Sequence, residues 1–126
     1  MKKYLVIGNP IEHTLSPKLH NFWIKQYNLD ACYEKKKLKK NQIKSTILDL
    51  KNENISGINV TLPFKQVVIP FLDELSPEAK KSYSVNTIYK KNYKVIGHNT
   101  DIAGFELGFK KIKFNLKGKK IFILGA

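Results

Sequence analysis

Arginine is absent from this sequence, cysteine occurs once, and no apolar run reaches the length of a membrane span. Each gap excludes something. With all 23 basic residues lysine, the planar forked contacts by which arginine reads guanine edges and phosphates are missing, so recognition of nucleic acid is not expected. The single cysteine, Cys32, permits no intrachain disulfide framework, which fits a reducing compartment such as the cytoplasm. It lies in an alternating apolar stretch with no histidine near it, and reads as a small buried hydrophobe rather than a nucleophile. The run Tyr4-Leu5-Val6-Ile7 is too short for a signal-peptide core or a membrane span, so neither export nor membrane insertion is expected. His13, His20 and His98 stand without a second ligand at metal spacing, and no metal site is expected. Acidic residues number only 10, leaving a net charge of +13. Such a field attracts anionic small molecules, carboxylates or phosphorylated cofactors. Most of the lysines, including Lys35, Lys36, Lys37, Lys39 and Lys40, nevertheless read as solvated strand ends and turns.

What is present suffices for one modest core. The chain has 126 residues, 42% of them apolar, about the size of one domain. The Tyr4–Ile7 run ends at Gly8-Asn9-Pro10 and reads as a buried parallel strand entering a turn. Ser16-Pro17 starts a helix, with serine as the N-cap and proline at the first helical position, and Leu19, Phe22, Trp23 and Tyr27 follow at helical spacing. Residues 31–37 form a second strand. A helix opens at Asn41 with Ile43, Ile47, Leu48 and Leu50 as its buried stripe, ending near Asn54. Ile58-Asn59-Val60 is a third strand, followed by an apolar helical stretch to Leu72. Ser76-Pro77 starts a short helix. Residues 85–89 and 93–96 read as a hairpin about Lys90-Lys91-Asn92, and Asn99-Thr100-Asp101 opens a helix through about Lys111. Alternating strands and helices give an α/β class, a mostly parallel open sheet with helices on both faces and an antiparallel edge hairpin. Residues 118–126 read as a fresh buried strand ending in glycine, the way a dinucleotide fold begins. The organisation expected is therefore a domain over 1–100, a bridging helix and linker over 101–117, and the first strand of a truncated second domain over 118–126.

Four stretches carry polar groups where packing alone would need none. In Thr14-Leu15-Ser16-Pro17, two hydroxyls flank a leucine at a helix start, where hydroxyls and free N–H groups bind carboxylates. Asn59-Val60-Thr61-Leu62-Pro63-Phe64-Lys65 follows a strand at its carboxyl end, the usual ligand edge of an open α/β sheet, with Asn59 and Thr61 on one face. Ser84-Val85-Asn86-Thr87 and Gly97-His98-Asn99-Thr100-Asp101 put amides and hydroxyls at other strand ends; Asp101 alone would read as a helix cap.

Taken together and in this order, Gly-Asn-Pro-Ile-x-His-x-x-Ser-Pro, Asn-Val-Thr-x-Pro-Phe-Lys, Val-Asn-Thr and Asn-Thr-Asp-x-x-Gly-Phe resemble shikimate dehydrogenase over essentially the whole chain. The resemblance implies reversible, NADPH-dependent reduction of 3-dehydroshikimate to shikimate, in the biosynthesis of chorismate and the aromatic amino acids. It implies that the hydroxyls of Thr14 and Ser16 hold the substrate carboxylate. It further implies that Thr61, Asn86 and Asp101, with Asn59 in the same motif as Thr61, hold the ring hydroxyls, and that Lys65 and Asp101 are the catalytic pair. Gly125 and Ala126 match the first residues of the NADP-binding loop, of which no more is seen here. One position departs from the pattern: the first hydroxyl is usually serine, and Thr14 adds a methyl group beside the carboxylate site. A quinate/shikimate dehydrogenase using NAD and a non-catalytic shikimate-binding module are the alternative readings, and a homodimer is left open.

Overall fold

A computed structural model describes residues 1–113 and 115–124. Its strands are β1 (Lys2–Gly8), β2 (Ala31–Lys37), β3 (Gly57–Val60), β4 (Glu74–Leu75), β5 (Thr87–Lys91) and β6 (Lys94–His98). Its helices are α1 (Ser16–Gln26), α2 (Ile43–Lys51), α3 (Pro77–Ser82) and α4 (Asp101–Lys111), with short 3-10 turns at Lys40–Gln42 and Ile69–Phe71. The six strands form one sheet in the order β2-β1-β3-β5-β6-β4. β1 runs parallel to β2 and β3, and β4 parallel to β6, whereas β5 is antiparallel to β3 and β6. The expected class and hairpin are both present, with one refinement: the hairpin joins β3 on its inner side, and the two-residue β4 lies beyond it. The hairpin turn is Asn92-Tyr93, both at positive φ (49° and 64°), the left-handed pair that matches strand twist.

Side-chain alternation along β1 divides the core between the two faces of the sheet. Leu5 and Ile7 join Ile58, Val60, Ile88 and Val95 under α2, whose Ile43, Ile47 and Leu50 are buried with them. Val6 faces the other way and packs with Ile11 and Tyr33 under α1, whose Ile24 is half-buried against them. Helices thus cover both faces, but unequally. α1 buries no residue completely, and Leu19, Phe22, Trp23 and Tyr27 remain exposed.

Several local expectations need correction. Leu48 is exposed and Thr46 takes its place in the buried stripe of α2, its hydroxyl donating to the Gln42 carbonyl at 3.0 Å. Ser16 is the first residue of α1 and not its cap; Leu15 stands at the cap position, and Thr14 Oγ1 accepts the Ser16 N–H at 3.3 Å. The segment after β3 is a run of turns closed by the 3-10 turn, not an α-helix. Pro63 and Pro70 remove two donors, Pro70 disfavours helical geometry at Ile69, and Val67, Val68 and Ile69 are β-branched. The strand expected over residues 118–126 is not formed in its described part: residues 115–124 carry neither helix nor strand, and Ile121, Phe122, Ile123 and Leu124 are exposed. A buried strand requires ladder partners, and the six-stranded sheet includes no strand from this stretch. Gly125 and Ala126 lie outside the described residues.

Candidate functional site

The carboxyl ends of β1 and β3 and the start of α4 meet along one edge of the sheet. Gly8 ends β1 where β3 continues into Thr61, whose N–H donates to the Ile7 carbonyl at 3.0 Å. The space there suits a glycine: a Cβ on residue 8 would lie 2.6 Å from Thr61 Cγ2 and 2.9 Å from Ile11 Cδ1, and both side chains would have to shift. The turn after Thr61 is anchored by buried Phe64 and Val68. The Lys65 carbonyl accepts the Val85 N–H at 2.9 Å, which ties the turn to the segment entering β5.

That tie brings the lysine to α4. Lys65 Nζ donates to Asp101 Oδ2 at 2.7 Å, with the lysine side chain 30% exposed and the carboxylate 54%. Asp101 is held from two sides. Asn86 Nδ2 donates to its Oδ1 at 2.8 Å. Buried Asn99 caps α4: its Oδ1 accepts the Asp101 and Ile102 N–H groups at 2.9 and 3.2 Å, while its Nδ2 donates to the Ser84 carbonyl at 2.9 Å. Asn99 therefore takes the capping role that the sequence offered to Asp101, and leaves the Asp101 carboxylate for Lys65.

A single run of hydrogen bonds extends from this pair across the sheet. Asn86 Oδ1 accepts from Thr87 Oγ1 at 3.0 Å, Thr87 Oγ1 accepts from Asn59 Nδ2 at 3.2 Å, and Asn59 Oδ1 accepts from the Tyr33 hydroxyl at 2.7 Å. The register explains the alignment. Asn59 pairs with Val6 on one side and Thr87 on the other, on the sheet face that α1 covers. Burial pushes the Tyr33 phenol up to about 12, and the Ser16 side chain beside it pulls in the opposite direction. Ser16 in turn receives a hydrogen bond from Thr14 Oγ1 at 3.2 Å. The run of hydrogen bonds thus has the Lys65–Asp101 pair at one end and Tyr33 at the other, with the Ser16 side chain beside Tyr33.

The expected catalytic and substrate-binding residues lie in or beside this arrangement, whereas Gly125 and Ala126 fall outside the described residues. Asn59, Asn86, Lys65 and Asp101 belong to the run, and Thr14 and Ser16 form a hydrogen-bonded pair beside its Tyr33 end. Thr61 stands beside it, and its hydroxyl makes no hydrogen bond among the described residues. Asn86 is the most committed member: its Nδ2 donates to Thr100 Oγ1 and Asp101 Oδ1, and its Oδ1 accepts from the Thr100 N–H, the Thr100 hydroxyl and the Thr87 hydroxyl; both ends of the Asn59 amide also have protein partners. Two contributors escaped sequence reasoning. Asn99 sits in the quoted motif, where its i to i+2 spacing to Asp101 was a usable cap signal. Tyr33 reads simply as an apolar strand residue. His98 lies 3.6 Å from Glu78 and takes no part, and no cluster of three or more potential metal ligands occurs among the described residues. No helix there is long and apolar enough to cross a membrane.

Comparison with known proteins gives a consistent result. Residues 6–88 match the model of the shikimate dehydrogenase substrate binding domain. The chain is 58% identical over 125 residues to a shikimate dehydrogenase (NADP(+)) of Pelagibacter ubique, covering 99% of this chain and 47% of that protein. It is 44% identical over 121 residues to the enzyme of the same name from Carboxydothermus hydrogenoformans, covering 96% and 43%. The crystal structure of Thermus thermophilus shikimate 5-dehydrogenase in complex with NADP(H) and shikimate superposes with a TM-score of 0.84 at 32% identity, over 93% of this chain and 44% of that one. The chain spans about half the length of the curated relatives it matches.

Proposed function

The chain belongs to the shikimate dehydrogenase substrate-binding domain family, and from that premise we propose that it supplies the substrate-binding and proton-transfer half of an NADP-dependent shikimate dehydrogenase. The observation that carries the reading is the 2.7 Å contact between Lys65 and Asp101 at the end of a run of hydrogen bonds that reaches across the sheet to Tyr33. A binding module needs hydroxyls and amides for a polyol acid; it does not need an ammonium held against a carboxylate. The same reading divides the chain into a substrate domain over 1–100, a bridge over 101–117 and a segment over 118–126 leading toward a nucleotide domain. It is supported by α4, which leaves the sheet and buries none of its side chains. A cytoplasmic setting goes with it, in keeping with the unpaired Cys32.

NADPH, when bound, supplies the hydride. None of the described residues forms a glycine-rich cradle for its pyrophosphate, so the roles assigned here concern substrate and proton alone. The carboxylate of shikimate takes donors from the Thr14 and Ser16 hydroxyls. Thr61, with its free hydroxyl, and the Asn86 and Asp101 side chains face the ring hydroxyls, while Asn59 holds Asn86 and Thr87 from beneath. As the ketone oxygen of 3-dehydroshikimate gains negative charge, the Lys65 ammonium stabilises it and gives it a proton; in the reverse direction the amine takes that proton back. Asp101 fixes the amine's position and keeps a negative charge beside its protonated form.

The test is Lys65→Ala, assayed with the nucleotide-binding half present. Loss of a proton-transfer group should lower kcat by about 10²- to 10⁴-fold while KM for shikimate changes far less. A comparable loss in both would reduce Lys65 to a binding group. Running shikimate and quinate in parallel reads the effect of the extra Thr14 methyl on the acid preferred.

A further inference from the structure

A threonine just ahead of a helix normally turns its hydroxyl back to accept an N–H of the first turn. Thr100 occupies that position in α4, yet its side chain makes no capping bond. Asn99, one residue earlier, caps the helix instead, its Oδ1 accepting the Asp101 and Ile102 N–H groups. The Thr100 hydroxyl is therefore free for another partner, and it turns to Asn86. Asn86 Nδ2 donates to Thr100 Oγ1 at 2.8 Å. In return Asn86 Oδ1 accepts the Thr100 N–H at 3.0 Å and lies 3.1 Å from the Thr100 hydroxyl. Among the described residues, Asn86 is the sole hydrogen-bond partner of the Thr100 side chain, which is otherwise exposed.

We propose that Thr100 is a positioning residue of the substrate site, whose hydroxyl holds the Asn86 side chain against the start of α4. This rests on the functional reading above, because it assigns Asn86 and Asp101 to the substrate. The orientation of the Asn86 amide is fixed without the hydroxyl. The Thr100 N–H can only donate and so meets Oδ1, while the Asp101 carboxylate accepts and so meets Nδ2. Those two contacts leave one Nδ2 proton over, and Thr100 Oγ1 is its acceptor among the described residues. With that proton bound, the amide is gripped at both ends by one residue and cannot twist about its own axis. The consequence reaches the catalytic pair, since Asn86 occupies Asp101 Oδ1 and leaves Oδ2 to Lys65. Thr100 acts through Asn86 and makes no side-chain bond to Lys65 or Asp101 among the described residues, which separates it from a catalytic residue.

Thr100→Val keeps the N–H and the branched Cβ and removes the hydroxyl alone, and Thr100→Ser puts the hydroxyl back. With the nucleotide-binding half present, KM for shikimate should rise about three- to tenfold in Thr100→Val, the range of one net hydrogen bond, while kcat changes less than about twofold. Thr100→Ser should return KM to the unmodified value. The thermal midpoint of Thr100→Val should stay within about 3 °C, because Asn99 carries the cap. An unchanged KM in Thr100→Val overturns the proposal. So does a raised KM that Thr100→Ser fails to lower, which would mark a general defect of the fold. A second readout needs no substrate: exchange of the Asn86 side-chain amide protons with water, followed by NMR in the unliganded protein, should quicken about threefold in Thr100→Val. Failure of the unmodified protein to turn over shikimate would count against the functional reading, and the exchange rate then decides whether Thr100 holds Asn86, an unchanged rate overturning that claim. Should Thr100→Val fail to fold, Thr100→Ala removes the same hydroxyl and is held to the same outcomes.

Discussion

Replacing Asn99 with alanine separates the support of the site from its chemistry. The side chain is 3% exposed and makes four hydrogen bonds: it accepts from the Asp101 and Ile102 N–H groups and donates to the Ser84 carbonyl and Ser82 Oγ. Loss of the cap should cost about 1 kcal/mol, within the usual range of about 0.5–2. Loss of the donor to the Ser84 carbonyl, in the segment entering β5, should cost about 1–3 kcal/mol more. The two parts should appear in different places. α4 buries none of its side chains, so the cap contribution affects only the opening of that helix, whereas the Ser84 contribution falls on the sheet. Urea unfolding followed by far-ultraviolet circular dichroism should show the sheet destabilised by about 1–3 kcal/mol. Amide exchange at Asp101 and Ile102 should quicken about fivefold, the factor corresponding to 1 kcal/mol. Wild-type protection at those two amides, with stability changed by less than about 0.5 kcal/mol, the scatter of ordinary surface substitutions, would refute the claim that Asn99 holds Asp101 in place.

Gly8→Ala puts a methyl group 2.6 Å from Thr61 Cγ2 and 3.1 Å from the Leu62 carbonyl oxygen, so Thr61 must move. A loss of about 1–3 kcal/mol is expected in thermal unfolding, with weaker shikimate binding although residue 8 bears no ligand group. Glu12 titrates at about 2 because the Lys37 side chain bonds to it, with backbone N–H groups assisting. Its pKa is lower folded than unfolded, so its stabilising contribution is present above about 4.5 and is lost as pH falls through about 2. Lys37→Met should raise the Glu12 ionisation in a carboxyl-carbon NMR titration and move the acid-induced loss of stability to higher pH; an unmoved titration would contradict the pairing.

Much of the architecture was legible because period and punctuation agree. Residues 31–37 open with three apolar residues and end in lysines, Ser76 does cap α3 by accepting the Ala79 N–H at 3.2 Å, and the Ile43, Ile47 and Leu50 spacing marks the buried side of α2. Periodicity misleads where a second constraint wins. Leu48 lies off the buried arc that Thr46 can occupy once its hydroxyl bonds back to Gln42. The apolar content of residues 66–72 suggests a helix that Pro70 interrupts. β4 is two residues long and carries no pattern at all. Of the site, the motifs revealed which side chains matter but not how they are held. Asn59, Thr87 and Asn86 are joined by β3–β5 register, and Tyr33 enters only because β2 lies across β1 from Asn59. Spacing along the chain does not contain these relations.

The most direct measurement is a structure of the chain with shikimate. The carboxylate should accept hydrogen bonds from the Thr14 and Ser16 hydroxyls, and a ring hydroxyl should lie about 3 Å from both Lys65 Nζ and an Asp101 carboxylate oxygen. Shikimate bound elsewhere, or bound with its hydroxyls turned away from Lys65, would contradict the account.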